Sequence, residues 1–353
     1  MDMKATRLRR ALDALYYSGA YRVMAPIARG CGAIFMLHRV LPGANGTKAN
    51  AFDPNGFLAV SPEFLDQAIG RVKKAGFDLV DMDEAVRRLT SGDTARFACF
   101  TADDGYRDNR DHALEVFERH NCPLTVYVSS GFAARTTAPW WVMIERLIAA
   151  RDDLMVEMDG KSQVFSCVSV DEKYHAYEWI AGEFSKASGP VFDKAIEDLC
   201  RRYGLNQASL SEELTMDWQE LAEFASHPLV TLGAHTVSHP VLANLDKKIC
   251  AAEITDGADA MAHYLGERPT HFAYPYGHDW AAGQREFDLA RKLGFASGVV
   301  TRKGVLYPEH SAHMTALPRV SLNGDYQSER YVDVLISGAA FALFNKFRRV
   351  NAA

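Results

Sequence analysis

Two neighbouring carboxylates, Asp103 and Asp104, end a short apolar run and have a glycine directly behind them. Residues 97–101 are apolar and β-favouring, so the pattern predicts a buried strand that ends at the acidic pair. Adjacent side chains on extended backbone point to opposite faces, so both carboxylates reach one centre only if the chain turns, which Gly105 permits. A cation there would relieve their repulsion and split their roles, one carboxylate binding metal and the other remaining a free base.

Two histidines, His235 and His239, follow a second predicted strand at residues 229–234. Their spacing predicts that both imidazoles lie on one side of a helical turn, within reach of one ion. Together with Asp104 they form a two-histidine, one-carboxylate set that leaves metal positions open for water and substrate. An isolated Asp-Asp-Gly is also typical of a surface turn, and an isolated histidine pair can be accidental. The occurrence of both at strand ends favours a metal site.

Three motifs in this order resemble those of the polysaccharide deacetylases of the NodB-homology type, carbohydrate esterase family 4. Residues 101–105 match the family motif Thr-Phe-Asp-Asp-Gly except at Ala102, and residues 235–239 match His-Ser/Thr-x-x-His throughout. Residues 272–277 contain a Pro-Tyr-Gly sequence that resembles the family's wall of the sugar groove. The resemblance extends from about residue 34 to residue 321.

The resemblance implies a metal-dependent deacetylase that hydrolyses N-acetyl or O-acetyl groups on a sugar, oligosaccharide or polysaccharide and releases acetate. Its metal ligands would be Asp104, His235 and His239, with Asp103 as the base that takes a proton from water. Zn²⁺ is the first expectation for the ion. Mn²⁺, Co²⁺ and Ni²⁺ are alternatives, because mixed nitrogen and oxygen sites are not strongly selective by geometry alone.

Two further catalytic positions follow from the same resemblance. Some branches of the family carry the general-acid histidine on the first strand of the domain, and His38 ends such a predicted strand. The family's more common Leu-x-His near the C-terminus is absent. Family members often have an arginine two residues before the groove proline that steadies the base aspartate, but this chain has Ala273 there. Arg319 is the candidate replacement as the partner of Asp103.

Substrate contacts are expected from the turn after the carboxylates, from the Pro-Tyr-Gly segment and from a tryptophan pair. The backbone N–H of Tyr106 would face the oxyanion of the tetrahedral intermediate. Of the two tryptophans, Trp140 is expected to offer a flat face on which sugar rings stack. Trp141 is expected to be buried in the core where the insertion meets the barrel. The expected groove residues are Tyr274, Pro275, Tyr276 and Gly277.

The composition is that of an ordinary globular protein with an ample core. The chain has 353 residues, of which 48% are hydrophobic and 24% charged, and its net charge of -6 does not suggest a nucleic-acid partner. Its six cysteines are scattered and form no Cys-x-x-Cys pair. They are expected to be small buried hydrophobes in a reducing compartment rather than a disulfide framework.

Repeated strand–helix units predict parallel strands with helices outside them, closed into a barrel that gathers its loops at one end. With the resemblance, this predicts an α/β fold: a distorted (β/α) barrel of the NodB-homology type over residues 32–325. An insertion at about 132–215 interrupts the alternation of strands and helices. It is predicted to contain a hairpin about Asp159-Gly160 and two helices. Residues 1–31 are predicted to be a helical segment and 326–353 a C-terminal amphipathic helix.

Neither terminal segment has the pattern of an export signal or a membrane span. Asp13, Arg22 and Arg29 interrupt the segment behind the basic N-terminal residues, which predicts a cytoplasmic protein. The uncharged run 334–344 is well short of the roughly 20 residues needed to cross a bilayer. Two interpretations stay open for it. It could be a helix packed on the barrel or on the N-terminal helix. It could instead be an amphipathic helix that binds the surface of the inner membrane, with its basic residues on lipid phosphates.

Two other functions remain alternatives. A cyclic-amide hydrolase or a phosphoesterase could use the same metal ligands, and a glycan-binding protein with an inactive site would keep the fold. The specific glycan and its acetyl linkage are not determined by the sequence. The lack of an export signal favours a biosynthetic sugar inside the cell, with peripheral membrane contact left open.

Overall fold

The computed structural model of the chain describes residues 3–48, 51–93, 95–187 and 189–351. Its strands, in chain order, are β1 (Gly32–Leu37), β2 (Arg39–Val40), β3 (Ala59–Val60), β4 (Asp78–Leu79), β5 (Phe97–Ala102), β6 (Leu124–Val128), β7 (Asp153–Met158), β8 (Lys161–Ser166), β9 (Val230–Ala234), β10 (His271–Ala273), β11 (Ser297–Lys303) and β12 (Leu317–Ser321).

The α-helices are α1 (Met3–Tyr17), α2 (Ala20–Ala28), α3 (Pro62–Lys74), α4 (Met82–Ser91), α5 (Leu114–His120), α6 (Ser130–Ala133), α7 (Trp140–Ala149), α8 (Val170–Phe184), α9 (Gly189–Tyr203), α10 (Gln207–Leu214), α11 (Trp218–Ala225), α12 (Lys247–Leu265), α13 (Gln284–Lys292), α14 (Glu329–Ile336) and α15 (Ala339–Phe344). A π-helical turn, Asn109–Ala113, leads into α5. Short 3₁₀ turns occur at Gly56–Leu58, Leu242–Asn244, Pro308–His313 and Gly324–Tyr326.

Seven parallel strands close into a barrel. They run in the order β1, β12, β11, β10, β9, β6 and β5, and β5 pairs back with β1 from Gly32↔Phe97 to Leu37↔Ala102. Strand β4 pairs with the beginning of β5 and stays outside the closed ring. Parallel strands in a closed ring bring their carboxyl ends to the same end of the barrel. The predicted α/β barrel with outer helices is therefore confirmed.

The barrel strands read as continuous apolar runs because they are covered on both faces. Every residue of β1, β5 and β6 is buried, as parallel strands under helices require. Inside this layer the rings of Phe35 and Phe100 stack with centroids 4.7 Å apart. Helix α3 begins as predicted, with the Ser61 hydroxyl accepting a hydrogen bond from Phe64 N and Pro62 in the first turn.

The insertion lies between β6 and β9, which are neighbours in the barrel. The predicted hairpin is present as β7 and β8, and its turn has positive φ at Asp159 and Gly160. Helices α8 and α9 lie close to the two predicted ones, whereas α10 was not predicted. The insertion has its own apolar cluster, which contacts the barrel through Trp141 and Tyr106. This contact places the insertion beside the carboxyl end of β5.

The terminal segments pack on each other. Leu12 and Tyr21 of the N-terminal helix pair contact Tyr331 and Val334 of α14 in one apolar cluster. The expected single C-terminal helix is divided into α14 and α15 at Gly338, whose φ is +72°. A side chain at Gly338 would collide with the carbonyl of Ala28, so glycine allows α15 to pack closely on α2. Residues 1–2 and 352–353 of the two predicted terminal segments lie outside the described residues.

Two sequence-based expectations concern covalent links and membrane spans. All six cysteine thiols are free, and the side chains of Cys99, Cys122, Cys167 and Cys250 are buried. None of the helices in the described part of the chain combines the length and apolar character that crossing a bilayer requires.

Candidate metal centre

The polar residues singled out in the sequence meet at the carboxyl ends of the barrel strands. Asp103 and Asp104 follow β5, His235 follows β9 and His38 follows β1, while Arg319 lies within β12. Strands β5 and β9 are separated by β6, so residues more than 100 positions apart face one another across the mouth of the barrel.

A left-handed turn separates the two carboxylates. Asp103 N donates a hydrogen bond to Leu37 O (3.1 Å), which extends the β1–β5 ladder by one residue. The next residue, Asp104, has φ +73° and Gly105 has φ +68°. Positive φ is uncommon for a residue with a side chain and is concentrated at functional sites. The turn removes the strand alternation, so that both carboxylates point into the mouth of the barrel.

The two histidines do not lie on a helical turn, and that part of the sequence prediction was wrong. The segment after β9 is irregular, with Thr236 at φ +66° and His239 at φ +59°. The loop instead brings the rings together through these two left-handed residues, with ring centroids 4.9 Å apart. Local spacing alone suggested a helix because it ignores these two backbone angles.

A carboxylate on α12 holds the histidine loop in this conformation. Glu253 accepts hydrogen bonds from Val237 N (3.0 Å), Ser238 N (2.9 Å) and the Ser238 hydroxyl (2.8 Å). Gly257, one turn further along α12, lies so close to Thr236 that a Cβ would come within 2.8 Å of its backbone. Glu253 was missed by the sequence analysis, because nothing in its local sequence distinguishes it from other acidic helix residues.

Asp104, His235 and His239 form a buried group with the geometry of a metal site. Asp104 Oδ1 lies 3.5 Å from the Nε2 atoms of both histidines, and the three potential ligand atoms are within 4.8 Å of one another. Asp104 Oδ1 is buried without a hydrogen-bond partner among the described residues. An unpaired buried carboxylate oxygen is costly, and a cation would satisfy it. These residues therefore fit a divalent ion with mixed nitrogen and oxygen ligands.

The backbone selects the imidazole tautomer that a metal ligand needs. His235 Nδ1 lies 2.7 Å from the carbonyl of Ala273, which requires the proton on Nδ1 and leaves the Nε2 lone pair facing Asp104. Ala273 is the position where the family often has an arginine. In this chain its carbonyl orients a metal-ligating candidate instead.

Burial and mutual contact shift the pKa values of the three side chains. Burial by itself would raise the pKa of Asp104, but the facing imidazoles of His235 and His239 hold it below its ordinary value. Burial lowers the pKa of His239 to about 3, so its ring is neutral near pH 7. Burial lowers the pKa of His235, but the facing carboxylate of Asp104 acts in the opposite direction, and the net shift is upward. A cation would bind the neutral imidazole, so metal binding is expected to weaken as the pH falls.

Asp103 is engaged by Arg319 and not by the histidines. The Arg319 guanidinium donates to both carboxylate oxygens at 2.7 Å, and it also donates to the Thr101 hydroxyl (3.2 Å) and to Val300 O (3.1 Å). Burial alone would raise the pKa of Asp103, but the buried Arg319 charge holds it well below its ordinary value. The two-pronged pair keeps Asp103 ionised and oriented at a fixed distance from the candidate metal ligands.

His38 and Tyr106 flank the two carboxylates. His38 Nε2 lies 4.0 Å from Asp103 Oδ2, and the ring is partly exposed at the mouth of the barrel. Tyr106 forms an isolated bridge with Thr215 in which the hydrogen bonds run from Arg107 N to Leu214 O and from Met216 N to Gly105 O. In such a non-hydrogen-bonded pair the N–H of Tyr106 itself points away from the partner strand. The Tyr106 N–H is therefore not used in the bridge and can donate a hydrogen bond to another group.

Two expected substrate contacts are contradicted by the structure. Tyr274 is fully buried, and its hydroxyl donates a hydrogen bond to Thr315 O (2.8 Å), so it belongs to the core and not to the groove wall. Trp140 is also buried and packs on Phe184, so it is not an open platform. Its indole N–H donates to the Tyr276 hydroxyl (2.9 Å), which leaves Trp140 as a support for Tyr276. Both tryptophans fill the junction of the insertion and the barrel.

The remaining Pro-Tyr-Gly residues shape the rim of the site. The ring of Tyr276 is 5.0 Å from that of His239, and Pro275 and Gly277 are buried behind it. Gly277 has φ +61° and would collide with Thr301 if it carried a side chain. The exposed aromatic residue at this rim is Trp280, 47% exposed and 5.6 Å from the Tyr276 ring. Trp280 was not among the residues predicted from the sequence, although it lies three positions after Gly277 of the Pro-Tyr-Gly segment.

Comparisons with known proteins agree with this architecture. A profile of the polysaccharide deacetylase family matches residues 168–297, a segment that includes the histidine pair and the Pro-Tyr-Gly sequence but not the two aspartates. No match was found among curated protein sequences.

Solved structures with the same fold include a deacetylase, a de-N-acetylase and the protein IcaB. The deacetylase PplD of Streptococcus pyogenes is 16% identical, with a TM-score of 0.56 over 86% of this chain and 97% of that chain. IcaB of Ammonifex degensii is 17% identical, with a TM-score of 0.55 over 87% of this chain and 97% of that chain. A de-N-acetylase of Aggregatibacter actinomycetemcomitans is 11% identical, with a TM-score of 0.54 over 86% and 99%.

At these identities the solved structures establish the fold alone. The profile match covers less than half of the chain, so residues 168–297 are similar to the polysaccharide deacetylase family and the whole chain has the same fold as these solved structures. Both findings agree with the motif resemblance found in the sequence.

Proposed function

We propose that this protein is a divalent-metal-dependent deacetylase that hydrolyses the N-acetyl group of a sugar residue and releases acetate. One observation carries the proposal: Asp104 Oδ1 is 3.5 Å from two imidazole Nε2 atoms and has no other partner among the described residues, while Asp103 beside it is held by Arg319. This arrangement supplies a ligand carboxylate and a free carboxylate at one site.

The proposed ligands are Asp104, His235 and His239. A divalent ion bound there supplies Lewis-acid polarisation of the acetyl carbonyl and makes a nearby water more acidic. Zn²⁺ suits two imidazoles and one carboxylate, with Mn²⁺, Co²⁺ and Ni²⁺ as alternatives for the same ligands.

The chain's own residues would move the protons. Asp103 accepts a proton from the attacking water, and Arg319 keeps Asp103 ionised and aimed at that water. The water oxygen bonds to the acetyl carbon, and the negative charge that develops on the carbonyl oxygen receives a hydrogen bond from the Tyr106 N–H. His38 then donates a proton to the sugar nitrogen as the carbon–nitrogen bond breaks. The products are acetate and a free sugar amine.

The experiment that tests this function is acetate release from a panel of acetylated glycans, including acetylated chito-oligosaccharides and O-acetylated sugars. We expect acetate from at least one member, loss of the activity with a chelator, and recovery with one of the four divalent ions, since the three ligands make the site metal-dependent. Release of ammonia or phosphate from other substrates, without acetate, would show that the barrel serves another hydrolytic reaction. Glycan binding with no metal-dependent turnover would show an inactive site.

Trp280→Ala is expected to raise KM for acetylated oligosaccharides about 10-fold. The value of kcat, and KM for small monomeric substrates, should stay nearly unchanged. The reason is that Trp280 is exposed beside Tyr276, where a flat ring offers a face to the C–H surface of a sugar outside the reacting residue. Steady-state kinetics on substrates of increasing length measure this.

Two variants control that prediction. Trp280→Phe keeps a flat ring and should restore most of the affinity, whereas Tyr264→Ala removes another exposed aromatic ring, on α12, and should change nothing. An equal rise of KM for monomeric and oligomeric substrates would mean that Trp280 only supports the local fold.

A further inference from the structure

Helix α2 and the segment formed by α15 and the turn behind it expose five large apolar side chains. These are Val23 and Ile27 on α2, and Leu343, Phe344 and Phe347 at the end of α15 and just beyond it; we call them the terminal patch. Their exposed fractions run from 47% to 81%. Single exposed apolar residues are ordinary on protein surfaces, but a contiguous group marks an interaction site.

The five residues lie on two segments that pack against each other. Val23 and Ile27 are four residues apart and lie on the same side of α2, which packs on α15. A cavity of about 200 Å³ between the two segments is lined by both Ile27 and Phe347. Leu343 and Phe344 end α15, and Phe347 lies in the turn directly behind it. The apolar side chains from the two ends of the chain therefore meet at a shared groove.

Basic residues lie at this groove and on the segments that form it. Arg22, Lys346 and Arg348 are exposed, and none of the three forms an ion pair with a carboxylate in the described ranges. Arg348 also lines the cavity, together with Arg349, which pairs with Glu309 at 3.1 Å. Although the whole chain carries a net charge of -6, it has no acidic residue at 14–52 or at 334–353. The patch is locally cationic on an acidic protein.

We propose that the terminal patch docks this protein on the surface of an anionic lipid bilayer. Apolar side chains with Lys and Arg beside them suit the surface of a bilayer. The apolar side chains can enter the boundary between the headgroups and the acyl chains, while the basic side chains contact lipid phosphates. A second copy of the chain is a poorer occupant, because a symmetric contact through this patch would bring Arg22, Lys346 and Arg348 of the two copies together. This proposal is independent of the proposed deacetylase function.

The test is sedimentation of the full chain with vesicles of phosphatidylcholine alone or mixed with phosphatidylglycerol. We expect binding to the anionic vesicles that weakens with salt. Phe344→Ser with Phe347→Ser, and separately Lys346→Glu with Arg348→Glu, should each weaken that binding about 10-fold or more. All four side chains are exposed, so the variants should melt at the same temperature as the wild type.

A matched control is Val164→Ser with Val168→Ser, which removes two exposed apolar side chains from the insertion and should leave vesicle binding unchanged. Lys161→Glu in the same hairpin controls for charge. The proposal is overturned if the wild type does not bind anionic vesicles, or if the patch variants bind as well as the wild type. A dimer interface at the patch would also overturn it. In that case the wild type is a dimer, and the double variant Phe344→Ser, Phe347→Ser is a monomer that binds vesicles as well as the wild type does.

Discussion

Asp103→Asn is expected to lower turnover about 10²- to 10⁴-fold while the protein retains its metal, because it removes the proposed proton acceptor but none of the proposed ligands. His235→Ala, by contrast, is expected to lose both the metal and the activity, because one of three ligand atoms is gone. The two variants separate the roles of the neighbouring carboxylates. The measurements are metal content per chain after dialysis and kcat for acetate release at saturating metal.

Asp103→Asn also leaves the buried Arg319 charge without its carboxylate, so both assays belong at a temperature where the variant is folded. A matched control is Asp198→Asn, which neutralises another buried carboxylate paired with arginines, on α9 in the insertion. It should keep both metal and turnover. If Asp103→Asn and His235→Ala lose metal equally, the assignment of Asp103 as the unligated base is wrong.

Arg319→Met is expected to lower the free energy of unfolding by about 3–5 kcal/mol and to move the acid limb of the pH–rate profile to higher pH. The stability loss arises because the Asp103 carboxylate stays buried without a cation. The pH effect has a definite sign: burial raises the pKa of Asp103 and Arg319 is the main group that lowers it, so the pKa rises when Arg319 is removed. A smaller fraction of Asp103 is then ionised at any given acid pH. Urea unfolding and pH–rate profiles measure the two effects.

The contribution of Asp103 to the pH dependence of stability should also shrink. In the wild type the depressed pKa of Asp103 stabilises the fold above the ordinary pKa of an aspartate, and this contribution is lost as the pH falls through the folded value. In Arg319→Met the folded pKa moves up towards or beyond the unfolded one, so this stabilisation at neutral pH is lost. Unchanged pH dependence of both rate and stability would show that Arg319 does not set the ionisation of Asp103.

Arg302→Met is the matched control for this prediction. Arg302 lies on the neighbouring strand β11 and donates to the carbonyls of Asn351 and Ala282, not to a carboxylate. Its loss should cost less stability and should not move the acid limb. Arg319→Lys keeps the charge but loses the planar guanidinium that contacts both carboxylate oxygens. Its free energy of unfolding and the position of its acid limb should therefore lie between those of the wild type and Arg319→Met.

The barrel could be predicted because its signals are local. Residues 97–101 and 229–234 are short apolar runs bounded by turn and polar residues, and both are strands in the structure, as β5 and β9. The hairpin about Asp159 and Gly160 was predicted for the same reason, since two adjacent residues specify the turn. Parallel pairing follows once strands alternate with helices, and it places the ends of β5 and β9 together.

Side-chain direction at those ends could not be predicted, because it depends on contacts from distant parts of the chain. The left-handed Thr236 and His239 bring the imidazoles together, and they are stabilised by Glu253 on α12 rather than by the spacing of the motif. Trp140 and Tyr274 have the aromatic character of groove residues, but burial decides their roles. Trp280 is exposed in the loop that follows Gly277, and its exposure could not be read from its residue type.

The sequence by itself determined the repeated strand–helix pattern, the family resemblance and the residue types of a metal site, since these are encoded in neighbouring positions. The tertiary structure alone decided that Arg319 pairs with Asp103 across 216 positions, that Asp104 meets both histidines, and that the two ends of the chain share one apolar, basic surface. The physical reason is that charge pairing, desolvation and exposure depend on which residues the closed barrel brings together, and separation along the chain carries no information about that.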